Sequence, residues 1–322
     1  MRLGIAQPQS NRTDESQNVK RALEAMEAAK TDDVDLLCLP EGYPGPYFTD
    51  PEGYSPDARL QAKADELDMH VAYGRLEAGN GGYYVSQFLV GPDGKPLGTS
   101  RRRMPMGPPL YEDESVFPSS VAFSDLLLDD SIPVIETELG WNVAIVICSE
   151  LFCPELTRVA ALKGADLVLY PSGWLPEGLH RPWKLLTKAR ATENLVYTAV
   201  TQHRYARSDG REPLAGLIAG PESTLAESET DLLVSADLDL DRLEWLRNRT
   251  EGTGDLEYNV VPGLSNGQRF YRHGDDEISR RPELYGPLTM SPAELGELSA
   301  RKDFYEDIPD YKRGDVETSH DR

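Results

Sequence analysis

The sequence has few cysteines, few lysines and a marked shortage of positive charge. Lys and Arg together number 33 against 55 Asp and Glu, so the formal net charge is −22 and the pI is near 4.6. An acidic surface of this kind repels the phosphates of nucleic acids and of anionic membranes, and it stays hydrated in concentrated salt. We therefore expect no nucleic-acid or membrane partner, and we interpret the charge as the halophilic adaptation of a cytoplasmic protein.

Other absences exclude further classes of protein. The three cysteines, Cys38, Cys148 and Cys153, cannot all pair, which argues against a disulfide framework. No apolar run is long enough to cross a bilayer, and no secretory segment follows Met1. The five histidines lack metal-ligand spacing and no phosphate-binding glycine loop follows a strand, so we expect no metal and no cofactor.

Strand-like and helix-like segments alternate through most of the chain, and the second half repeats the first in outline. Residues 34–40 (VDLLCLP) closely resemble residues 165–171 (ADLVLYP), and each segment follows an amphipathic helix pattern. The turn GNGG predicts a β-hairpin between HVAYGRLE and YYVSQFLV. We predict an α/β fold over residues 1–248, a four-layer α-β-β-α sandwich with pseudo-two-fold symmetry. Residues 249–322 are predicted to be a C-terminal extension that packs on the body or on a neighbouring subunit, with its last residues disordered.

Cys148 is the first candidate for chemistry, because it ends the apolar run VAIVIC, where a strand passes into a helix. A thiol at such a strand end can act as a nucleophile if a base removes its proton, although a packed cysteine is the simpler interpretation. Glu41 directly follows VDLLCLP, and we expect it at the equivalent strand end of the facing sheet. An apolar rim would raise the pKa of Glu41 and make it a general base, whereas the alternative is a solvated or helix-capping glutamate.

His203 offers a second possible base, because it ends the strand-like segment LVYTAVTQH and could pair with Cys148 as in a thiol protease. The segment YPSGW, by contrast, lacks the first glycine of a serine nucleophile turn.

Several motifs taken together resemble the nitrilase superfamily of carbon–nitrogen hydrolases. These motifs are LLCLPE, ICSELFCPE, GADLVLYPSGW, RATENLVYTAV and GLIAGPESTLA. In ICSELFCPE, Ser149 and Cys153 stand where the family has aromatic residues. The resemblance implies the α-β-β-α sandwich, a Glu-Lys-Cys catalytic set, no cofactor, and a homodimer or higher homo-oligomer.

The chain departs from the family at the lysine. No lysine occurs between Lys95 and Lys163, and the matching segment carries three consecutive arginines at 101–103. We assign Arg103 to the lysine position because Glu114 then lies eleven positions further on, where the family has a second active-site glutamate. Arg102 is the alternative.

The resemblance implies hydrolysis of non-peptide carbon–nitrogen bonds. Glu41 would take the thiol proton, Cys148 would attack the substrate carbon, and Arg103 with the Ser149 amide would hold the oxyanion. The other assigned residues are Glu114, which would orient the cation, and Trp174 and Tyr47, which would line the pocket.

Small-molecule amide or carbamoyl substrates fit better than nitriles, because the residue after the cysteine is not Trp. The alternative is a catalytically silent relative that serves as a binding or assembly subunit, because arginine is bulkier than lysine and never deprotonates.

Overall fold

The computed structural model describes residues 1–104, 125–173, 177–204, 214–248, 284–291, 294 and 297–298. Within them the chain forms two β-sheets with helices on their outer faces. The first sheet contains β1 (Arg2–Ala6), β2 (Leu36–Cys38), β3 (His70–Gly79), β4 (Gly82–Val90), β5 (Pro96–Arg101), β6 (Leu126–Leu127) and β13 (Leu233–Asp237). The second contains β7 (Val134–Glu136), β8 (Asn142–Ile145), β9 (Leu167–Pro171), β10 (Tyr197–Thr201), β11 (Gly216–Ala219) and β12 (Thr224–Ser228). The helices are α1 (Ser16–Thr31), α2 (Asp57–Leu67), α3 (Pro154–Leu162), α4 (Glu177–Asn194) and α5 (Leu240–Asn248), with short 3-10 helices at Cys148–Phe152 and Gly286–Thr289.

The two sheets have the same topology. The first runs β13-β1-β2-β3-β4-β5 and the second runs β7-β8-β9-β10-β11-β12, with the same succession of parallel and antiparallel pairs. Helices α1 and α2 connect β1, β2 and β3, just as α3 and α4 connect β8, β9 and β10. The predicted pseudo-two-fold repeat is therefore confirmed, and so is the β3–β4 hairpin.

Successive side chains of the central strands point to opposite faces of the sheet, and both faces are buried. This explains why the sequences of these strands are apolar at consecutive positions. In β2, Leu36 and Cys38 join the apolar core between the two sheets, whereas Leu37 packs in the core under α1 and α2. In β9, Leu167 and Leu169 lie between the sheets, and Val168 lies under α3 and α4. Both faces of each central strand are buried, and the layers stack in the predicted order α-β-β-α.

One detail of the predicted symmetry is wrong. Cys148 follows β8, whose counterpart is β1, whereas Glu41 follows β2, whose counterpart is β9. The two residues therefore lie at inequivalent strand ends. They still meet, because β2 and β8 belong to sheets that pack face to face and both strands end at the same rim.

The described chain divides into two compact units, the first running from Met1 to Leu243 and the second beginning at Glu244. The predicted boundary near residue 248 and the packing of residues 249–322 stay predictions, because the structure describes only residues 284–291, 294 and 297–298 of that extension. Among the helices of the described residues, none combines the length and the apolar character needed to span a bilayer.

Candidate active site

The carboxylate of Glu41 lies at the rim where the two sheets meet, and its side chain is only 3% exposed. One oxygen, Oε1, accepts a hydrogen bond from Arg102 Nη1 at 3.0 Å, and the other, Oε2, accepts one from the Gly173 N–H at 3.0 Å. The thiol of Cys148 is also hydrogen-bonded to this carboxylate. Burial raises the pKa of Glu41, while Arg102 and these hydrogen bonds oppose the rise.

Cys148 begins the 3-10 helix that follows β8, and its backbone adopts a left-handed conformation with φ of 53°. This conformation turns the chain sharply from strand to helix and leaves the side chain partly exposed at the rim. Burial and the neighbouring Glu41 carboxylate raise the pKa of Cys148 to about 12, although Arg102 and the Gly173 N–H oppose the shift. The thiol is therefore protonated at neutral pH and needs a base.

Arg102, and not Arg103, is the cation that faces Glu41 and Cys148. Its guanidinium is 2% exposed, and its Nη2 donates to the Ser149 hydroxyl while its Nε donates to the Met104 carbonyl at 2.8 Å. Burial lowers the pKa of Arg102, but the surrounding anions, Glu41 foremost, raise it above its ordinary value. The assignment of Arg103 to this position is therefore corrected to Arg102.

Arg103 turns instead to Glu150. Its Nη1 lies 3.1 Å from Glu150 Oε2, and its backbone N–H donates to Glu150 Oε1. The same buried carboxylate also accepts from the N–H groups of Met104 at 3.1 Å and Ile147 at 2.8 Å. Glu150 thus joins the arginine segment to the turn that carries Cys148. Because Glu150 holds the side chain and backbone of Arg103, the preceding residue, Arg102, is directed toward Glu41.

The other predicted residues have different outcomes. Ser149 lies beside Arg102 through its hydroxyl, and Tyr47 is buried close enough to Arg102 for its phenol to raise the pKa of that guanidinium. Glu114 and Trp174 lie outside the described residues. Their proposed roles stay predictions.

His203 is not placed as a partner of the thiol. Its Nε2–H donates to the backbone carbonyl of Glu41, and its ring is buried edge-on to Tyr43 at a centroid distance of 5.3 Å. Burial lowers the pKa of His203 to about 4, so the ring is neutral near pH 7. The geometry therefore does not favour the cysteine–histidine alternative, and His203 instead supports the backbone of Glu41.

Two contributors were missed from the sequence. Glu150 stands two positions after Cys148, where the family signature carries an acid, and this position was the available signal. Gly173 lies two residues after the end of β9, and a Cβ there would lie 2.9 Å from Glu41 Oε2. No pattern in the sequence indicated that contact, because it depends on how closely the two sheets approach.

In the described part of the site, two buried carboxylates are paired with two buried guanidiniums. A protonated thiol in contact with a buried carboxylate can transfer its proton and attack an electrophilic carbon, and a fixed cation nearby can stabilise the negative charge that develops. No cluster of three metal-ligating side chains occurs in the portion of the chain that the structure describes.

Comparison with known proteins agrees with this chemistry. Residues 2–248 match the family model for carbon–nitrogen hydrolases. The chain is 28% identical over 255 residues to the omega-amidase NIT2 of Xenopus tropicalis, covering 73% of this chain and 87% of the relative.

Solved structures share the fold. A carbon–nitrogen hydrolase from Helicobacter pylori G27 superposes with a TM-score of 0.68 and 19% identity, covering 90% of this chain and 98% of that one. An amidase from Nesterenkonia sp. AN1, captured with acrylamide added to its active-site cysteine, superposes with a TM-score of 0.61 and 21% identity, covering 76% and 95%. From the family match across most of its length, the chain belongs to the carbon–nitrogen hydrolases of the nitrilase superfamily.

Proposed function

We propose that this carbon–nitrogen hydrolase cleaves small-molecule amides through a thioester on Cys148. The observation that carries the proposal is the position of the Glu41 carboxylate, which contacts the thiol, the Arg102 guanidinium and the Gly173 N–H at once. The omega-amidase and amidase names of the relatives support an amide as the substrate class.

In the first step, Glu41 accepts the proton of Cys148 as the sulfur attacks the amide carbonyl carbon. The thiol pKa of about 12 means that a free thiolate is scarce at neutral pH, so proton transfer has to accompany attack. Burial raises the pKa of Glu41 and makes its carboxylate a stronger base than an exposed one.

The tetrahedral intermediate places negative charge on the former carbonyl oxygen. Arg102 supplies a fixed positive charge, and the backbone N–H of Ser149, directly after the nucleophile, supplies a second donor. Collapse of the intermediate expels ammonia or an amine, which takes the proton held by Glu41. Glu41 then removes a proton from water as the water oxygen attacks the thioester carbon. The C–S bond breaks, the carboxylic acid leaves, and the Cys148 sulfur takes the proton back from Glu41.

Arginine at this position has a cost. Both terminal nitrogens of Arg102 are already engaged, Nη1 with Glu41 and Nη2 with Ser149, so the guanidinium has to exchange a partner to hold an oxyanion. This engagement is the observation that favours the silent alternative, a binding or assembly subunit. A lysine, with one compact ammonium, would fit the same role with less rearrangement.

A substrate panel tests the proposal. Ammonia release is measured in molar salt, the condition that the acidic surface favours, with primary amides, carbamoyl compounds and nitriles. Amides should be hydrolysed fastest, and an acyl adduct on Cys148 should appear by mass spectrometry after rapid acid quenching.

Cys148→Ala should abolish turnover. Cys153→Ala is the matched control, because Cys153 ends the same 3-10 turn yet hydrogen-bonds Glu155 instead of Glu41. Turnover that survives in Cys148→Ala would contradict the thioester route. Absence of turnover with every compound, in wild type as in the variant, would favour the silent alternative.

A cytoplasmic location, tolerance of molar salt and a homodimeric or higher assembly stay predictions. Sedimentation in low and molar salt would measure the assembly and its dependence on charge screening.

A further inference from the structure

Glu15 is a buried carboxylate to which the proposed chemistry gives no role. It directly precedes α1, yet its side chain makes no capping bond to that helix. Only 1% of the residue is exposed. Burial raises the pKa of Glu15, although its hydrogen bonds oppose the rise. A buried acid is costly unless it is hydrogen-bonded, so its partners are informative.

Among the described residues, four hydrogen bonds to the Glu15 carboxylate come from one short segment. Its Oε2 accepts from the consecutive backbone N–H groups of Tyr47 at 2.9 Å, Phe48 at 2.9 Å and Thr49 at 2.8 Å, and from the Thr49 hydroxyl at 2.7 Å. Consecutive N–H groups that converge on one oxygen form an anion-binding nest. The carboxylate therefore fixes the conformation of residues 47–49.

The other carboxylate oxygen is enclosed as well. A Cβ on Gly45 would lie 2.6 Å from Glu15 Oε1 and 2.7 Å from the Tyr54 hydroxyl, and Gly45 has φ of 100°. Only glycine fits this position without strain. The loop thus fits closely around the acid.

The segment held by Glu15 reaches the active site along two routes. The Tyr47 ring packs on Gly42, the residue after Glu41, so closely that a Cβ on Gly42 would lie 2.5 Å from Tyr47 Cδ2.

The second route runs through Phe48. Its ring lies edge-on to His203 at a centroid distance of 6.1 Å, and His203 donates to the carbonyl of Glu41. Both routes end on the backbone that carries the base.

We infer that Glu15 is a positioning residue for the hydrolysis proposed above, on which this inference rests: its carboxylate fixes residues 47–49, and Tyr47 and Phe48 then hold the backbone of Glu41 in place. Replacing the acid leaves the catalytic atoms present but loosens their alignment. Small displacements of reacting groups reduce rate more than they reduce substrate binding.

The test compares four variants with wild type. Glu15→Gln keeps the size of the side chain and removes the charge that the nest binds. Glu15→Asp keeps the charge on a shorter stem. Thr49→Val removes one donor and leaves the carboxylate intact. Glu24→Gln is the matched control, because Glu24 lies on α1 with its side chain 59% exposed.

Three quantities are measured for each variant: kcat and KM for the best amide, the rate at which iodoacetamide alkylates Cys148, and Tm. Rates are expressed per folded molecule, with the folded fraction taken from denaturant unfolding, so that a fraction of misfolded protein does not count. In Glu15→Gln, kcat should fall roughly tenfold with a smaller change in KM, and alkylation should slow by a similar factor. Glu15→Asp should recover part of the loss, Thr49→Val should show a smaller loss, and Glu24→Gln should match wild type.

Wild-type kcat and alkylation in folded Glu15→Gln would overturn the inference while the proposed function stood. If Glu15→Gln does not fold, Thr49→Val decides: wild-type values there would overturn the inference. If wild type hydrolyses no amide, the proposed function fails, and the ratio of alkylation rates between Glu15→Gln and wild type still tests whether Glu15 positions the thiol and its base.

Discussion

Two arginine–glutamate pairs lie side by side at the rim of the sheets, and they differ in what surrounds them. Arg102–Glu41 and Arg103–Glu150 are almost identical in length, at 3.0 Å and 3.1 Å, and in both the side chains are at most 5% exposed. The first pair, here called the thiol-side pair, touches Cys148 and Ser149. The second, the backbone-side pair, touches the N–H groups of residues 103, 104 and 147.

The comparison shows that burial and pairing do not by themselves mark a catalytic group. Two consecutive residues of one chemical type make the same kind of ion pair, yet one faces a reactive atom and the other faces peptide groups. Contacts outside the pair decide which role each has. Buried ion pairs contribute little net stability on average, but removing one partner leaves an uncompensated charge.

The largest difference between the two pairs is expected when each carboxylate is replaced by an amide, because one change should mainly affect rate and the other mainly stability. Glu41→Gln should lower kcat/KM by roughly 10²–10⁴-fold, because the thiol loses its base. Glu150→Gln should instead lower the free energy of unfolding by about 3–5 kcal/mol, with a smaller loss of rate per folded molecule, because Arg103 is left buried without its anion. Kinetics per folded molecule, with the folded fraction taken from denaturant unfolding of both variants, check this. Equal losses of rate in the two variants would erase the distinction between the pairs.

Replacing the arginines should give the next largest difference in kcat between the two pairs. Arg102→Gln should lower kcat by roughly 10²–10³-fold, because the oxyanion loses a charged donor. Arg103→Gln should mainly lower Tm. Arg102→Lys sharpens the comparison, because the compact ammonium should restore or exceed wild-type kcat if arginine is an impaired substitute, whereas Arg103→Lys should not raise kcat. If both the wild type and Arg102→Lys are inactive, the result would favour the silent alternative.

The smallest effect is expected in the pH dependence, which should follow the thiol-side pair. The proposed mechanism needs Glu41 ionised, so kcat/KM should fall as the pH drops through the raised pKa of Glu41, at a higher pH than the ordinary glutamate value of about 4.3. No alkaline change from thiol ionisation is expected until the pH approaches about 12. A profile of kcat/KM in buffers of constant ionic strength measures this. A rise in rate centred near pH 8.5, typical of an unperturbed thiol, would contradict it.

Much of the fold could be predicted from the sequence because its physical signals are local. Apolar runs bounded by Pro40 and Pro171 indicated strands buried on both faces, and the repeated DL-x-x-x-P pattern indicated the duplication. The motifs also brought Glu41 and Cys148 to one site.

The choice between Arg102 and Arg103 could not be made in the same way. Strand β5 ends at Arg101, so the strict alternation of side chains no longer applies to the two residues after it. Their directions are set by the carboxylate of Glu150, 47 positions further along the chain. The spacing to Glu114 could not replace that contact. Likewise, Gly173 approaches Glu41 across 132 positions, and no local pattern encodes such a contact.

The left-handed backbone at the nucleophile has a consequence for how this position is maintained. A side chain other than glycine in that region costs about 1–2 kcal/mol, and glycine would relieve the cost at once. A Cys148→Gly change would relieve this strain, but it would also remove the thiol and give the unfolded chain more conformational freedom. The turn that brings the sulfur to Glu41 is therefore strained by the same side chain that it presents.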